Sequence, residues 1–400
     1  MAHMLVIGKT AAVHPIARRL GVRLTLFVPT SSLKGAPLDL YDRIVTFPGS
    51  ASMDEWIETA ERVARRDPFD AIGGFSEVNQ PFAAAIGAAL GLRYPSRDAV
   101  RATRDKAWMR EVLWRAGVEQ VPAQVVDGEA GVASFARTHG YPVVVKPLDG
   151  RGSLGVSIVR GEDDLPRSLA WFRRWAPGYQ MLVERFLPGE EWSLEGFSER
   201  GEHRLVCVTQ KFKDPVTCVE TGHCVPAPID GALRDQLWSH AARMLTAIGL
   251  QDGPSHTEMI LTPDGPRVVE THARTAGDKI VELIKLAGGP DLNLLWVRQQ
   301  LGERVLDELS SGFDGFASIA FATPQAVGTL ERVDGVDEVQ QRPGVREVAL
   351  EQAVGAVLTG AYDSYSRGAL VIAVGATADE AAERARSGVR QLRFVVSCVG

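Results

Sequence analysis

A predicted β-hairpin over residues 256–272 constrains the fold of this chain more than any other feature. Two alternating apolar strands flank a five-residue turn centred on Asp264. If the strands pair symmetrically about that centre, Glu258 lies opposite Glu270, and both carboxylates point to the same face. Opposed like charges destabilise a hairpin, and nothing in the fold requires them there. A bound divalent cation removes the repulsion, and hard carboxylate oxygens favour Mg²⁺.

The same symmetric register sets the other pairs of the hairpin. It puts Leu261 opposite Arg267. It also puts His256 opposite His272, on the face that carries the two glutamates. The alternative interpretation is a solvent-facing hairpin whose acids bind no cation.

A strand followed by a glycine-rich loop predicts a phosphate site. Residues 141–147 form a buried apolar strand with Lys146 near its end. Gly152 and Gly155, with Ser153 between them, let backbone N–H groups approach phosphate oxygens without interference from Cβ atoms. Hairpins also need glycine, so this loop alone does not decide the function.

A Pro-Gly turn after the strand 181–186 predicts a contact with a nucleotide base. A strand that breaks at such a turn stops pairing, which frees the backbone groups of Phe186 and Leu187 to read an adenine edge. A carboxylate just past the turn could accept hydrogen bonds from ribose hydroxyls. An ordinary β-turn with solvated acids is the alternative.

Two charged residues follow the hairpin. Arg274 can pair with phosphoryl oxygens as charge is transferred, or it can form a surface salt bridge. Asp278 follows Gly277 at the predicted start of a helix. Its carboxylate either stabilises the helix N-terminus or faces an acceptor pocket.

The order of apolar runs predicts an α/β fold with several domains. The first hundred residues alternate strands and helices, as a parallel sheet requires, and 400 residues exceed one hydrophobic core. The predicted N-terminal strands cover 4–8, 23–28, 43–47 and 71–73. Later predictions are helices over 105–116, 231–248 and 379–393, and a long loop that ends at residue 228.

Composition argues against several classes of function. The net charge of −6 argues against a nucleic acid as the main partner. No apolar run is long enough to span a bilayer and no signal-peptide pattern begins the chain, which favours a cytoplasmic protein. The four cysteines, Cys398 among them, include no C-x-x-C pair and are expected to be reduced thiols.

The motifs at 143–156, 181–197 and 256–278 together resemble the ATP-grasp superfamily and, within it, the L-amino-acid ligase branch of carboxylate–amine ligases. The resemblance covers essentially the whole chain and implies two lobes that trap ATP between two sheets. The implied divisions are a Rossmann-like pre-ATP-grasp domain at 4–100, a small lobe with the phosphate lid at 101–180, a large lobe with the metal hairpin at 181–310 and a C-terminal αβ subdomain at 311–400.

The resemblance also implies which residues bind ATP. On the phosphates and in their flexible lid it places Lys106, Lys146, Gly152, Ser153 and Gly155. At the adenine and ribose it places Glu184, Phe186, Leu187 and Glu191. The implied cofactors are ATP and two Mg²⁺ ions.

Metal, catalytic and substrate roles follow from the same resemblance. Glu258 and Glu270 match the magnesium ligands. His272 stands where the family usually has Asn, and because an imidazole suits Mg²⁺ less well than an amide oxygen does, its role as a third ligand is open. Arg274 matches the arginine that stabilises an acyl phosphate, while Lys146 absorbs charge during phosphoryl transfer.

The implied substrate contacts lie on both sides of the hairpin. Glu220 and His223, in the predicted long loop, are similar to an E-x-x-H that touches substrate in amino-acid ligases. Asp278 stands where some of those ligases place a bulky aromatic, which indicates a more polar substrate.

The implied reaction joins an acid to an amine, that of an amino acid, through an acyl phosphate with release of ADP and phosphate. The implied partners are small-molecule acids and amines, and family members are commonly homodimers. The alternative is an ATP-grasp enzyme that activates formate or bicarbonate in nucleotide-precursor or carbamate metabolism. A regulatory protein with a decayed ATP site is disfavoured by the intact lysine, glutamate and arginine set. A dehydrogenase is disfavoured because no G-x-G-x-x-G follows the first strand.

Overall fold

The computed structural model describes residues 1–35, 37–150, 152–214, 218–309, 312–360 and 363–397. Cys398 lies outside the described residues, so a reduced thiol there stays a prediction. Within the described part of the chain, no helix combines the length and apolar character needed to cross a membrane.

The N-terminal domain is built on a parallel four-stranded sheet. Its strands are β1 (His3–Ile7), β2 (Arg23–Pro29), β3 (Arg43–Phe47) and β4 (Ala71–Gly73), in the order β3-β2-β1-β4. Its helices are α1 (His14–Arg19), α2 (Met53–Ala64), α3 (Gln80–Leu90) and α4 (Arg97–Ala102). Alternate residues of β1 pack into two different apolar clusters, which explains why the whole strand is apolar.

The next segment forms a small lobe around an antiparallel sheet. Its helices are α5 (Lys106–Arg115), α6 (Gly128–His139) and α7 (Leu165–Trp175). Its strands are β5 (Ala123–Val126), β6 (Val143–Pro147), β7 (Ser157–Val159) and β8 (Met181–Arg185), in the order β5-β8-β6-β7. The strand β8 therefore belongs to the small-lobe sheet. The predicted boundary at residue 181 instead assigns this strand to the large lobe.

The large lobe follows. Its strands are β9 (Glu190–Glu199), β10 (Glu202–Lys213), β11 (Glu220–Val225), β12 (Gly253–Thr262) and β13 (Gly265–His272). Its helices are α8 (Gly231–Ala247), α9 (Ile280–Leu286) and α10 (Leu292–Gln300). The predicted long loop is wrong at β11, which pairs with β10 and is a sheet strand. The charged and small residues of β11 conceal the strand, because part of it lines a polar cavity.

The C-terminal part adds three strands to the same sheet and forms a separate sheet with three more. Its strands are β14 (Phe316–Ala322), β15 (Gly328–Asp334), β16 (Val345–Leu350), β17 (Val357–Leu358), β18 (Ala369–Gly375) and β19 (Arg393–Ser397). Its helices are α11 (Val336–Gln340) and α12 (Ala378–Val389). The large sheet has the order β13-β12-β9-β10-β11-β14-β18-β16, so it continues across the predicted boundary near residue 311. The predicted last helix is too long, because Arg393 already begins β19.

The hairpin β12–β13 has the predicted outer pairs but a different turn. His256 pairs with His272 and Glu258 with Glu270, as symmetric pairing predicts. Leu261, however, pairs with Pro266 instead of Arg267. The hydroxyl of Thr262 donates to the Gly265 carbonyl oxygen at 2.7 Å and closes a shorter turn.

A β-bulge reconciles the two halves of the hairpin. The register shifts between Glu258 and Met259, so that Val268 and Val269 together occupy one step of the partner strand. The extra residue offsets the shorter turn and restores the opposition of the two glutamates.

The N-terminal domain is fixed to the large lobe close to Arg274. Phe75, just after β4, packs edge-to-face on Trp296 of α10, with ring centroids 4.8 Å apart. The buried Gln80 side chain donates to the carbonyl oxygen of Ala273 at 2.6 Å. The position of Arg274 thus depends on this interface.

We predict that Trp296→Ala lowers the free energy of unfolding by about 3–5 kcal/mol, because a large buried ring leaves a cavity between two domains. Trp114→Ala is the matched control, since Trp114 is 57% exposed and Trp296 is 1% exposed. Urea unfolding measures both. Equal midpoints for the two variants would contradict a structural role for this interface.

Candidate active site

A single cavity of about 480 Å³ brings together nearly all the residues singled out in the sequence. The small lobe contributes Lys146 and Glu184, and the hairpin contributes Glu258 and Glu270. Of the proposed site residues, only Gly155 does not line it.

Gly155 has a packing role in the structure. It is buried and adopts φ +69°, and a Cβ there would lie 2.8 Å from the Cβ of Ala176. Gly152 does line the cavity, and its carbonyl oxygen accepts a hydrogen bond from the Ser364 N–H at 3.2 Å. The hydroxyl of Ser153 donates to the carbonyl oxygen of Cys218 at 3.2 Å. The described part of the lid therefore contacts the large lobe and the C-terminal part.

Buried ion pairs hold the small-lobe wall of the cavity. Lys146 Nζ lies 2.6 Å from Glu184 Oε2, and Arg110 Nε lies 3.0 Å from Glu184 Oε1. Burial alone would raise the pKa of Glu184, but Arg110 and Lys146 lower it to about 2. The pKa of Lys146 is lowered by burial and by the nearby cations. The Glu184 carboxylate therefore holds two cations, and its contact with adenine stays a prediction.

The predicted adenine hinge is only partly free of backbone pairing. The strand β8 ends at Arg185, and Phe186 and Leu187 line the cavity as expected. The Phe186 N–H, however, donates to the carbonyl oxygen of Pro142 at 3.2 Å, which corrects the prediction that the turn frees it. The Phe186 N–H stays paired because Pro142, which immediately precedes β6, holds its carbonyl oxygen beside it.

Lys211, which sequence reasoning missed, is surrounded by carboxylates. Its ammonium group lies 2.7 Å from Glu191, 3.4 Å from Glu220 and 2.6 Å from Glu258. The side chain is 1% exposed. Burial would lower the pKa of Lys211, but the three carboxylates raise it well above its usual value. Lys211 lies on β10, between β9 and β11, and faces the cavity. Strand alternation could indicate that direction only if the strands on either side were known from the sequence.

The two opposed glutamates pair with different cations. Glu258 pairs with Lys211, whereas Lys106 Nζ lies 2.9 Å from Glu270 Oε2. Burial would raise the pKa of both carboxyls, but Lys211 holds that of Glu258, and Lys106 that of Glu270, well below the usual range. Both are therefore ionised at neutral pH.

The ligands of this site suit magnesium, an ion that does not need all of its ligands from the protein. Among the described residues, no three His, Cys, Asp or Glu side chains converge as a ready metal site. Magnesium usually binds through one or two carboxylates and completes its octahedron with water and phosphate oxygens. Glu258 and Glu270 meet that requirement. His272 Nε2 lies 3.2 Å from Glu270 Oε1, so it contacts the carboxylate in this arrangement.

Glu77, also missed from the sequence, holds Arg274 and His272. Arg274 Nη2 donates to Glu77 Oε2 at 3.1 Å, and His272 Nδ1 lies 3.4 Å from the same oxygen. Burial would raise the pKa of Glu77, but His272 and Arg274 lower it. Glu77 lies nearly two hundred residues before its partners, so no local pattern indicates it.

The far end of the cavity holds a cluster of four polar residues, here called the substrate-end cluster: Glu220, His223, Asp278 and Arg367. His223 Nε2 lies 3.0 Å from Asp278 Oδ2. Arg367 Nη1 donates to the same oxygen at 2.9 Å. Burial would raise the pKa of Asp278, but His223 and Arg367 lower it strongly.

Of the two alternatives for Asp278, the structure does not support the one in which its carboxylate stabilises the helix N-terminus. The helix α9 begins at Ile280, and Asp278 has the left-handed φ of 49°. Its carboxylate bonds with His223 and Arg367. The residue that immediately precedes the helix is Lys279. Its negative charge is therefore neutralised from within the protein.

Two family models match the chain. Residues 139–282 match the ATP-grasp domain, and residues 320–397 match the L-amino acid ligase C-terminal domain 2. Among curated proteins, the uncharacterized protein y4rH of Sinorhizobium fredii is 27% identical over 82% of this chain and 69% of its own length. The alanine–anticapsin ligase of Bacillus subtilis is 27% identical, but the match spans 60% of this chain and 55% of that enzyme.

Solved structures share the whole fold. The L-amino acid ligase from Bacillus licheniformis has a TM-score of 0.83 and 21% identity over 100% of this chain and 99% of its own. The biotin carboxylase domain dimer of the Hydrogenobacter thermophilus 2-oxoglutarate carboxylase, solved with MgADP and bicarbonate, has a TM-score of 0.70 and 20% identity over 98% and 90%.

These findings confirm the predicted α/β ATP-grasp fold and the predicted enzyme class. ATP-grasp enzymes use ATP and Mg²⁺ and act on small-molecule substrates. The chain therefore carries an ATP-grasp domain and the L-amino acid ligase C-terminal domain 2, a combination that indicates an ADP-forming ligase.

Proposed function

We propose that this chain forms an amide bond between a carboxylic acid and the amine of an amino acid, through an acyl phosphate. The observation that carries the proposal is the cavity itself. It places the lysines Lys106 and Lys146 beside the opposed carboxylates Glu258 and Glu270, with Arg274 on the same wall. Phosphoryl transfer needs this combination of cations, metal ligands and a charge-stabilising arginine.

In this proposal ATP binds along the small-lobe wall. Lys106 and Lys146 contact its phosphates, and Gly152 and Ser153 cover them. Phe186 and Leu187 lie against the adenine, and Glu191 accepts from the ribose. Glu184 orients Lys146 from behind, which its buried ion pairs support.

Glu258 and Glu270 would hold magnesium, as two ions, and His272 is an open third ligand. When bound, magnesium neutralises charge on the phosphates during transfer. Both carboxylates are ionised already, which supports this role. With magnesium held there, Lys106 would be free to contact the phosphates.

The chemistry then needs two displacements. A carboxylate oxygen of the acid attacks the γ-phosphorus of ATP, and ADP leaves. Arg274, anchored by Glu77, stabilises the acyl phosphate. The amine nitrogen attacks the carbonyl carbon, phosphate leaves, and the amine loses a proton to give the amide. Enclosure of the cavity protects the acyl phosphate from water.

The second substrate would lie at the substrate-end cluster. Glu220 and His223 reach it from β11, and Asp278 reaches it from the segment after β13. An ATP-grasp enzyme that activates formate or bicarbonate would have the same fold. The carboxylase structure, solved with bicarbonate, illustrates this for bicarbonate. The match to the L-amino acid ligase C-terminal domain 2 and the likeness to an alanine–anticapsin ligase favour an amino acid.

We predict that ADP release with MgATP requires an acid and rises strongly when an amine is added, because an acyl phosphate without its amine is held and not hydrolysed. The assay pairs the proteinogenic L-amino acids with one another and identifies the amide by mass spectrometry.

We also predict that Glu270→Gln lowers the rate of ADP release by at least about 100-fold, since one metal carboxylate is lost. Asp264→Asn is the matched control, because Asp264 is exposed at the turn of the same hairpin.

Two results would contradict the proposal. One is full-rate ADP release with the acid alone, which would indicate a leaky kinase. The other is an unchanged rate and an unchanged magnesium dependence in Glu270→Gln.

A further inference from the structure

The C-terminal part contributes one buried arginine to the cavity. Arg367 lies two residues before β18 and is 2% exposed. Its guanidinium carbon lies 3.7 Å from the centre of the Phe321 ring on β14, so the ring supports one face of the group. A buried guanidinium is costly unless each of its partners is well placed, which indicates a specific role.

The guanidinium joins two walls of the cavity. Nη1 donates to Asp278 Oδ2 at 2.9 Å, on the segment after the hairpin. Nη2 donates to the backbone carbonyl oxygen of Glu220 at 3.0 Å, on β11. Ser364, three residues earlier, donates through its hydroxyl to Glu220 Oε2 at 3.1 Å. One short C-terminal segment therefore fixes both walls at the substrate end.

The segment held by Arg367 has an unfavourable backbone conformation. Asp278 and Lys279 are consecutive non-glycine residues with φ of 49° and 58°, in the left-handed region. Each is paired with the C-terminal part, since Lys279 Nζ lies 2.5 Å from Glu347 Oε1 on β16. Such conformations persist only where the surroundings determine them. Arg274 lies four residues earlier in the same segment.

We propose that Arg367 is a positioning residue of the active site, which acts through Asp278 to hold segment 274–279, and with it Arg274, against the cavity. The inference rests on the proposed function for its catalytic consequence, but not for the structural hold. Arginine suits the role because its planar fork reaches two partners at once while stacking on a ring. A lysine at this position would lose one of the two bonds.

The hold explains why the ligase carries the C-terminal domain next to its ATP-grasp domain. Residue 367 lies within the matched C-terminal domain 2, whereas residue 278 lies within the matched ATP-grasp domain. The ion pair between them links the appended domain directly to the segment that carries the proposed acyl-phosphate arginine.

The test compares hydrogen exchange in the full-length protein with that of Arg367→Met. The Ile280 amide donates to the Gly277 carbonyl oxygen across the left-handed turn and reports on the segment. We expect its exchange to accelerate at least about 10-fold in Arg367→Met, because the segment opens locally. Arg298→Met is the matched control. Like Arg367, Arg298 bonds to two partners, the carboxylates of Glu303 and Glu308, but it does not line the cavity.

A second readout connects the hold to catalysis. With the amino-acid pair that gives the fastest ADP release, we expect Arg367→Met to lower kcat at least about 10-fold through misplacement of Arg274. Binding of MgADP, measured by calorimetry, stays unchanged because the phosphate wall is intact. If Arg367→Met does not fold, Asp278→Asn replaces it, since Asn keeps the shape and loses the charge that attracts Arg367.

The outcomes separate the two proposals. Unchanged exchange at Ile280 overturns the hold by Arg367, whatever the enzyme does. Faster exchange with unchanged kcat overturns its catalytic consequence. If the wild-type protein releases no ADP with any pair, the proposed function fails, and the exchange data still decide whether Arg367 holds the segment.

Discussion

The structure depends on the balance of buried charges within one cavity. Lys211 pairs with three carboxylates, two of which also pair with Lys213 or Arg367, and Lys106 pairs with Glu270. Breaking a buried ion pair typically costs about 3–5 kcal/mol, because the remaining charge is left without a partner. The opposed glutamates of the hairpin are tolerated for this reason. ATP phosphates and magnesium would add charges of both signs, so the same groups can exchange partners without leaving any charge uncompensated.

The continuous large sheet brings these charges together. The hairpin forms one end of the sheet, and strands from the C-terminal part form the other. Between them, β10 and β11 carry Lys211, Glu220 and His223 toward the cavity. Three strands of the C-terminal part therefore extend the sheet that lines the cavity, and Arg367 reaches Glu220 and Asp278 because β18 pairs with β14 beside β11.

Sequence reasoning succeeds where the decisive contacts are local. The opposition of Glu258 and Glu270 follows from strand alternation, and it survives a wrong turn because a bulge offsets the shorter loop. Glu77 and Arg367 could not be predicted in this way, because their partners lie far along the chain. Asp278 illustrates the same limit. Its position before a helix suggests a cap, whereas distant partners determine its conformation.

In the proposed mechanism the acid becomes an acyl phosphate in this cavity. This step can be tested with the acid of the most active pair labelled with ¹⁸O at both carboxylate oxygens, followed by mass spectrometry of the released phosphate. Because a carboxylate oxygen attacks the γ-phosphorus and leaves with it, the account predicts one ¹⁸O atom in each phosphate formed. Unlabelled phosphate, with oxygen derived from solvent water, would contradict it.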